Sequence, residues 1–230
     1  ANEDWASAER AWGLLTRLPG GQLAGLRGSA TAASERGDQL TAETRAREAL
    51  ALKSDADWPF NSLFDLQVSK GDWDKALETL VQGEKRAEVE PLNAKRRRAV
   101  LHTAKAVSLP HTEKVAAQKA LAEAIRSAPD FPPAAYHGAR FLMTDGKAKA
   151  AQGVLELGWK ARPHPALAQL SRRLIPQDTR QNISARLKGL ADCNPGHRES
   201  RIVMAEIAMD NADWVGAIRI LALLVEENPT

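Results

Sequence analysis

The sequence predicts an all-α fold made of repeated helix-turn-helix units, and three observations support this prediction. Alanine and leucine dominate the 43% of residues that are hydrophobic, only 5% are aromatic, and few β-branched runs occur, which favours helix. The closing prolines Pro129, Pro163, Pro195 and Pro229 follow one another at nearly equal intervals. A turn motif also recurs, as Gly71-Asp72-Trp73-Asp74-Lys75-Ala76-Leu77 and Ala212-Asp213-Trp214-Val215-Gly216-Ala217-Ile218, with Gly37-Asp38 and Asp145-Gly146 in corresponding places.

A recurrence of about 34 residues, with an internal turn and a closing proline, is typical of tetratricopeptide (TPR) repeats. We therefore predict a right-handed superhelical solenoid of TPR-like helix-turn-helix repeats. It would form a single domain over residues 1–230, with about six repeats of which the first is truncated. Solenoids of this kind usually bind other molecules rather than transform them.

Apolar residues recur at three- and four-residue steps in successive segments, each closed by glycine, proline or an acidic turn. This pattern predicts 13 helices and no strand. The predicted helices span residues 3–18, 22–36, 38–53, 57–70, 72–87, 92–108, 112–128, 132–144, 147–161, 164–174, 179–192, 197–210 and 213–227.

Small residues take equivalent places in the second helix of each repeat when the closing prolines are aligned. Small side chains let two helices approach to about 8–10 Å, and a leucine between them would fill the seam. The equivalent sets are Ala117, Leu121 and Ala124; Ala151, Leu155 and Gly158; Ala217, Leu221 and Leu224. Trp73 and Trp214 begin equivalent helices, and we predict a packing role for both.

The register departs from this regular interval at two places. The unit between Pro91 and Pro129 is longer than the others, and its extra residues predict a loop at 109–111, where Pro110 prevents the helix from continuing. The first helix, with Trp5 and Trp12, has no preceding partner, so it would leave an apolar face bare and offer a surface for self-association.

Charge and composition exclude several classes of protein. A net charge of +3, from 32 basic and 29 acidic residues, is too small an excess to indicate nucleic-acid binding. The single cysteine, Cys193, cannot form an internal disulfide, which favours a cytoplasmic location. No run of 18 apolar residues occurs. Because the chain opens without methionine and stops where another unit would follow, we expect a soluble fragment of a longer protein.

No catalytic or metal-binding pattern is present in the sequence. Cys193 and His197 flank three residues, but no second ligand pair follows, and the segment falls at a turn between repeats. We expect His164 and His197 to be first-turn residues of helices. The sequence contains no Gly-x-Ser-x-Gly nucleophile motif, no phosphate-binding loop and no dinucleotide-binding fingerprint. The sequence therefore predicts neither an enzyme nor a metal site.

The first helix of each TPR-like unit would line a concave groove, and its spacing selects the side chains that face inward. Arginines spaced one per repeat would fork onto carboxylates of an extended peptide, although each such residue, taken alone, is more often an ordinary surface residue. The basic run 95–98 has two interpretations, a partner contact or a solvated face. The candidate groove residues are Asn61, Asp65, Arg98, His102, Tyr136, Arg140, Arg172 and Glu206.

Several blocks, in order along nearly the whole chain, resemble the TPR region of the HemY proteins of proteobacteria, especially the alphaproteobacterial branch. These blocks are Gly25-Leu26-Arg27-Gly28, Lys70-Gly71-Asp72-Trp73, Arg96-Arg97-Arg98-Ala99-Val100-Leu101, Pro129-Asp130-Phe131-Pro132-Pro133-Ala134-Ala135, Gly158-Trp159-Lys160, Pro163-His164-Pro165-Ala166-Leu167-Ala168 and Asn194-Pro195-Gly196-His197-Arg198-Glu199-Ser200.

The resemblance implies a bacterial inner-membrane parent protein with two N-terminal transmembrane helices before its TPR domain, and a link to haem (tetrapyrrole) biosynthesis. With the N-terminus inside, two such helices would return the domain to the cytoplasmic side. The leading hypothesis is a non-enzymatic scaffold that binds proteins or extended peptides, haem-synthesis enzymes among them. The alternative is a tetrapyrrole carrier or regulator that binds haem or a porphyrin near His102, Tyr136 and His137.

Overall fold

A computed structural model describes residues 4–52, 56–86 and 88–227 of the chain, and these residues form 13 helices and contain no strand. This confirms the all-α prediction and its helix order. The helices are α1 (Trp5–Leu15), α2 (Gln22–Glu35), α3 (Gln39–Ala51), α4 (Trp58–Lys70), α5 (Trp73–Lys85), α6 (Pro91–Ser108), α7 (Lys114–Ser127), α8 (Pro132–Thr144), α9 (Ala148–Ala161), α10 (Pro165–Arg172), α11 (Arg180–Asp192), α12 (Arg198–Asp210) and α13 (Trp214–Glu227). The predicted ends at residues 3, 53 and 87, and Pro229, lie outside the described ranges.

Four turns inside the repeats share one geometry, which confirms that the recurring motif is a structural unit. Gly71 adopts a left-handed conformation with φ of 74°, and the N–H of Asp72 donates to the carbonyl of Gln67 at 2.9 Å. In the last unit, Ala212 takes the same place with φ of 60°, and Asp213 donates to Ala208 at 2.8 Å. This bond closes a helix end around a left-handed residue. Gly37 and Gly146 complete the set, with φ of 78° and 73°.

Side chains cap several helix starts and account for two of the histidines. Asp38 accepts from the N–H of Thr41 at 3.1 Å at the start of α3. His164 Nδ1 accepts from the N–H of Ala166 at 3.2 Å, and His197 Nδ1 accepts from the N–H of Glu199 at 3.1 Å. Each therefore satisfies an N–H that the first helical turn leaves without an intrahelical partner. Both histidines are N-caps, so they lie at helix starts but one position before the predicted first turn.

The chain divides into two compact units, residues 1–94 and 95–230. In unit 1, α1 to α5 each pack on their neighbours in sequence. Phe60 is 1% exposed, stacks on Phe64 with ring centroids 5.8 Å apart, and lies against Gly83 of α5. Trp12 of α1 also covers Gly28 of α2. The two are so close that a Cβ added to Gly28 would lie 2.1 Å from the indole ring.

In unit 2, α8, α9, α10 and α11 surround a core whose largest side chain is Trp159. Trp159 is fully buried, and its Nε1 donates to Ser200 Oγ of α12 at 2.8 Å. Gly158 lies where a Cβ would be 2.6 Å from the Cβ of Ala135, so α8 and α9 approach closely at this point. The predicted role of the small residue Gly158 is confirmed.

The predicted packing residues of the second helices are buried or, in the case of Trp73, half-buried, with two exceptions on α13. Leu221 is 37% exposed and Trp214 is 62% exposed, whereas Ala217 and Leu224 are buried. Within the described residues, α13 packs on α12, and no helix covers its other side. The predicted packing role of Trp214 is therefore wrong, because a residue at an interior position of a repeat is buried only if a neighbouring helix is present.

No helix in the described part of the chain has both the length and the hydropathy needed to span a membrane. The single-domain organisation and the handedness of the solenoid stay predictions.

Candidate partner-binding surfaces on the leading helices

We call the first helix of each helix-turn-helix unit a leading helix; these are α2, α4, α6, α8, α10 and α12. Every predicted groove residue lies on one of them. Asn61 and Asp65 lie on α4, Arg98 and His102 on α6, Tyr136 and Arg140 on α8, Arg172 on α10, and Glu206 on α12.

Unit 1 contains a cleft of about 500 Å³ between two leading helices, α2 and α4. Its lining combines four hydroxyl groups, three charged side chains and the Trp58 ring. Ala42 of α3 lies beneath it and is buried. The polar lining residues are Arg27, Thr31, Ser34, Glu35, Ser62, Asp65 and Ser69.

Only one of the two predicted residues of α4 lines this cleft. Asp65 is exposed and forms part of the wall. Asn61 is also exposed, but its Nδ2 donates to the carbonyl of Asp57 at 3.1 Å, and it is not among the lining residues. The hydroxyls of the wall were missed by sequence reasoning, because isolated serines and threonines give no periodic signal.

Arg98 and His102 of α6 are both partly buried. The basic run 95–98 lies one turn inside α6, which begins at Pro91. Arg96 is engaged within the chain. Its Nη1 donates to the carbonyl of Asp130 at 3.2 Å, and its guanidinium lies 4.5 Å from the centroid of the Phe131 ring. Part of this run therefore holds the turn before α8 rather than a partner.

Arg172 and Glu206 are brought together by the fold. Arg172 Nη2 donates to Glu206 Oε2 at 3.1 Å, and Nη1 donates to Asp210 Oδ2. Burial opposes the charged form of Arg172, but the bonds to Asp210 and Glu206 outweigh it and raise its pKa. The guanidinium that was expected to fork onto a partner's carboxylates thus forks onto two carboxylates of α12. Asp210 was missed, although it lies one helical turn from Glu206.

A second cleft, of about 200 Å³, lies in unit 2 at the lengthened turn between α6 and α7. The predicted loop is confirmed, since α6 ends at Ser108 and α7 begins at Lys114. The cleft is lined by the end of α6, this loop, α7 and α8, and Arg140 and His137 are among its lining residues. The sequence signal for this cleft was the lengthened repeat unit that ends at Pro129. The sequence predicted a loop in that unit but no binding role for it.

Tyr136, His137 and Arg140 of α8 have different surroundings. Tyr136 packs against the core of unit 2 and meets the His137 ring edge-on, with centroids 5.4 Å apart. Arg140 is exposed, and no hydrogen bond or ion pair joins it to any other described residue. Burial, and then the positive charge of Arg140, lower the pKa of His137 below its ordinary value of 6.5.

We expect the imidazole of His137 to titrate below the ordinary histidine value of 6.5 in an NMR titration. Because the neutral form is favoured in the fold, the stability contributed by His137 is present above pH 6.5 and is lost as pH falls through its lowered pKa. Replacing Arg140 by Gln removes the nearby positive charge, which is the second cause of the lowered pKa. The pKa of His137 should therefore rise part of the way towards 6.5. An unchanged pKa would contradict the contribution of Arg140.

The described residues contain no group of three His, Cys, Asp or Glu side chains that could hold a metal ion. The cleft beside His137, at about 200 Å³, is smaller than the roughly 300–1,000 Å³ of sites that enclose drug-sized ligands. It therefore does not fit an enclosed tetrapyrrole, and haem or porphyrin binding by this chain stays a prediction.

These features define a helical-repeat protein of TPR type, with a cleft between leading helices. No protein-family model and no curated protein sequence matches the chain. It is similar in structure to the C-terminal part of a TPR repeat-containing protein from Cytophaga hutchinsonii (14% identity, 99% of this chain, 92% of that chain, TM-score 0.47). It is also similar to a tetratricopeptide repeat protein from Parabacteroides merdae (14% identity, 90% of this chain, 67% of that chain, TM-score 0.37).

A thermophilic TPR protein from Thermus thermophilus is a further similar structure (16% identity, 78% of this chain, 95% of that chain, TM-score 0.35). Because these TM-scores lie below 0.5, the assignment to the TPR type rests on the helix pairs and the shared turns described above.

Proposed function

We propose that this chain is a non-enzymatic scaffold that binds extended segments of other proteins along its leading helices. The observation that carries this proposal is the cleft of about 500 Å³ between α2 and α4. Its volume falls within the range of ligand sites. Its walls come from side chains of rigid helices, which hold them in place before a partner arrives.

The chemistry of this cleft suits an extended peptide. The backbone of such a peptide has unpaired N–H and C=O groups. Serine and threonine hydroxyls can both donate and accept, so Thr31, Ser34 and Ser62 could pair with either kind of group. Arg27 and Asp65 supply both signs of charge for side chains, and Trp58 supplies an apolar surface.

The cellular setting is part of the proposal and is supported by the resemblance to HemY proteins. In that setting the parent protein is anchored in a bacterial inner membrane, with this domain on the cytoplasmic side, and its partners include enzymes of haem synthesis. Self-association through α1 belongs to the same proposal, because Trp12 is 39% exposed and Leu14 is 64% exposed.

Site-specific photocrosslinking tests the scaffold. A benzophenone amino acid is placed at Thr31 or Asp65, both exposed in the cleft, and as a control at Glu78 of α5 or Glu48 of α3, both on second helices and outside the cleft. With native membranes and cytosol, we expect discrete protein adducts from the cleft positions only, competed by excess unlabelled chain. Mass spectrometry of the adducts then tests the haem-synthesis partners.

Two results would count against the scaffold. Equal labelling from cleft and control positions would show that the leading helices are not selective. Alternatively, haem titrated into the chain could give a saturable absorbance shift that His102→Ala abolishes while no protein adduct forms, and the tetrapyrrole carrier would then replace the scaffold.

A further inference from the structure

The cleft of unit 2 lies at a turn that is built differently from the tight turns of the chain. At the tight turns, a left-handed residue such as Gly146 closes the leading helix and the next helix begins two residues later. Between α6 and α7, five residues intervene, and Pro110 lacks the N–H that such a tight turn would use. The longer loop leaves an open space of about 200 Å³ between α7, α8 and the end of α6.

The floor of this cleft is apolar. Leu121 of α7 is 5% exposed and packs with Ala106 and Ala117 in a small cluster. Leu109 of the loop and Phe141 of α8 are partly buried against the same cluster, and both also line the cleft. An apolar group entering the cleft would therefore bury itself against side chains that the fold already holds in place.

The rim of the cleft carries only basic and neutral groups. Lys114, Arg140, His111 and His137 line it, and none of its lining residues is acidic. The carboxylate of Asp145 lies 2.6 Å from Lys147 and 3.8 Å from Lys114, and Glu113 of the loop directly precedes Lys114. The Arg140 guanidinium makes no ion pair or hydrogen bond with the described residues, so its donors are available to an incoming carboxylate.

Size and charge together select the occupant. The volume is below that of sites for drug-sized molecules, and it suits one large apolar side chain. We propose that this cleft docks an apolar side chain of an acidic peptide segment, with Arg140 and Lys114 pairing with carboxylates on either side of that anchor. An anchor in a preformed pocket with charged pairs at its edge is a common arrangement of protein interfaces. This inference relies on the proposed function for the class of partner.

The test uses the whole chain and the peptide Asp-Glu-Trp-Glu-Asp, with blocked termini, in an NMR titration. We expect shifts in the imidazole signals of His111 and His137. Arg140→Gln combined with Lys114→Gln should weaken binding about tenfold, since two partly exposed charge pairs are lost. Lys119→Gln combined with Lys149→Gln is the matched control. It removes the same charge at exposed positions outside the lining residues, and it should leave the affinity unchanged.

Three results would overturn the proposal. A Gly-centred peptide, Asp-Glu-Gly-Glu-Asp, that binds equally well would show contact by charge alone. If sodium decanoate shifts the two imidazole signals and the Trp-centred peptide does not, the cleft is a site for a small amphipathic acid. An equal loss of affinity in the control variant would place the peptide elsewhere.

Failure of this proposal is distinguishable from failure of the scaffold. If partners crosslink to Thr31 and Asp65 while the acidic peptide leaves His111 and His137 unshifted, only the docking cleft of unit 2 is disproved. If the peptide binds as expected while no adduct forms in unit 1, the docking cleft stands and the cleft between α2 and α4 is not the binding surface.

Discussion

Replacing Trp159 by alanine is expected to destabilise unit 2 by about 3–5 kcal/mol, the usual cost of removing a buried tryptophan. The ring is fully buried in the cluster that contains Leu155 and Leu190, so its loss leaves a cavity that the surrounding helices can only partly fill. The change also leaves Ser200, which is 1% exposed, without the indole N–H that it accepts at 2.8 Å. Urea denaturation followed by circular dichroism measures the loss.

Trp214→Ala provides the matched control for this substitution. The two side chains are chemically identical, but Trp214 is 62% exposed on α13. We expect its replacement to change the free energy of unfolding by no more than about 0.5 kcal/mol. Similar losses for the two variants would mean that Trp214 is buried in solution, for example by self-association.

Two glycines of α9 are expected to respond to alanine with opposite signs. At Gly158 a Cβ would lie 2.6 Å from the Cβ of Ala135 and 3.3 Å from Leu167, so Gly158→Ala must push α8 and α9 apart. Such overpacking costs about 1–3 kcal/mol. At Gly153 no atom lies within 4 Å of the added Cβ, and alanine there should stabilise the helix by about 0.5–1 kcal/mol.

Thermal denaturation of the two variants side by side measures this difference. Because both substitutions occur in one helix and change helix propensity equally, the difference between them isolates the contact of Gly158 with α8. Stabilisation by both substitutions would show that α8 and α9 lie further apart than the structure has them.

The local turns were predictable because their chemistry is carried by neighbouring residues. Gly71-Asp72 and Ala212-Asp213 close and open helices through bonds between residues close together in the chain, so their recurrence in the sequence was enough to locate them. The same holds for the caps at His164 and His197. The loop after α6 was likewise visible, since a proline cannot continue a helix that precedes it, as at Pro110.

The candidate sites were only partly predictable. The register placed Asp65 and Arg140 on leading helices, and both line clefts. Register alone could not show that Asn61 lies outside the cleft that Asp65 lines. Nor could it show that Phe141 and Leu121 leave an apolar floor open beside Arg140, because this depends on how three helices and a loop meet.

By itself, the sequence determined the number and order of the helices, the shared turns and the small residues at close contacts, because these follow from hydrophobic spacing and from backbone preferences over a few residues. Only the tertiary structure decided which charges are already paired. Arg172 and Arg140 look alike in the repeat pattern, yet Glu206 and Asp210 bind the first, while no described residue binds the second. The pairing of Arg172 depends on the distance between α10 and α12, which are not consecutive helices, and no local pattern encodes that distance.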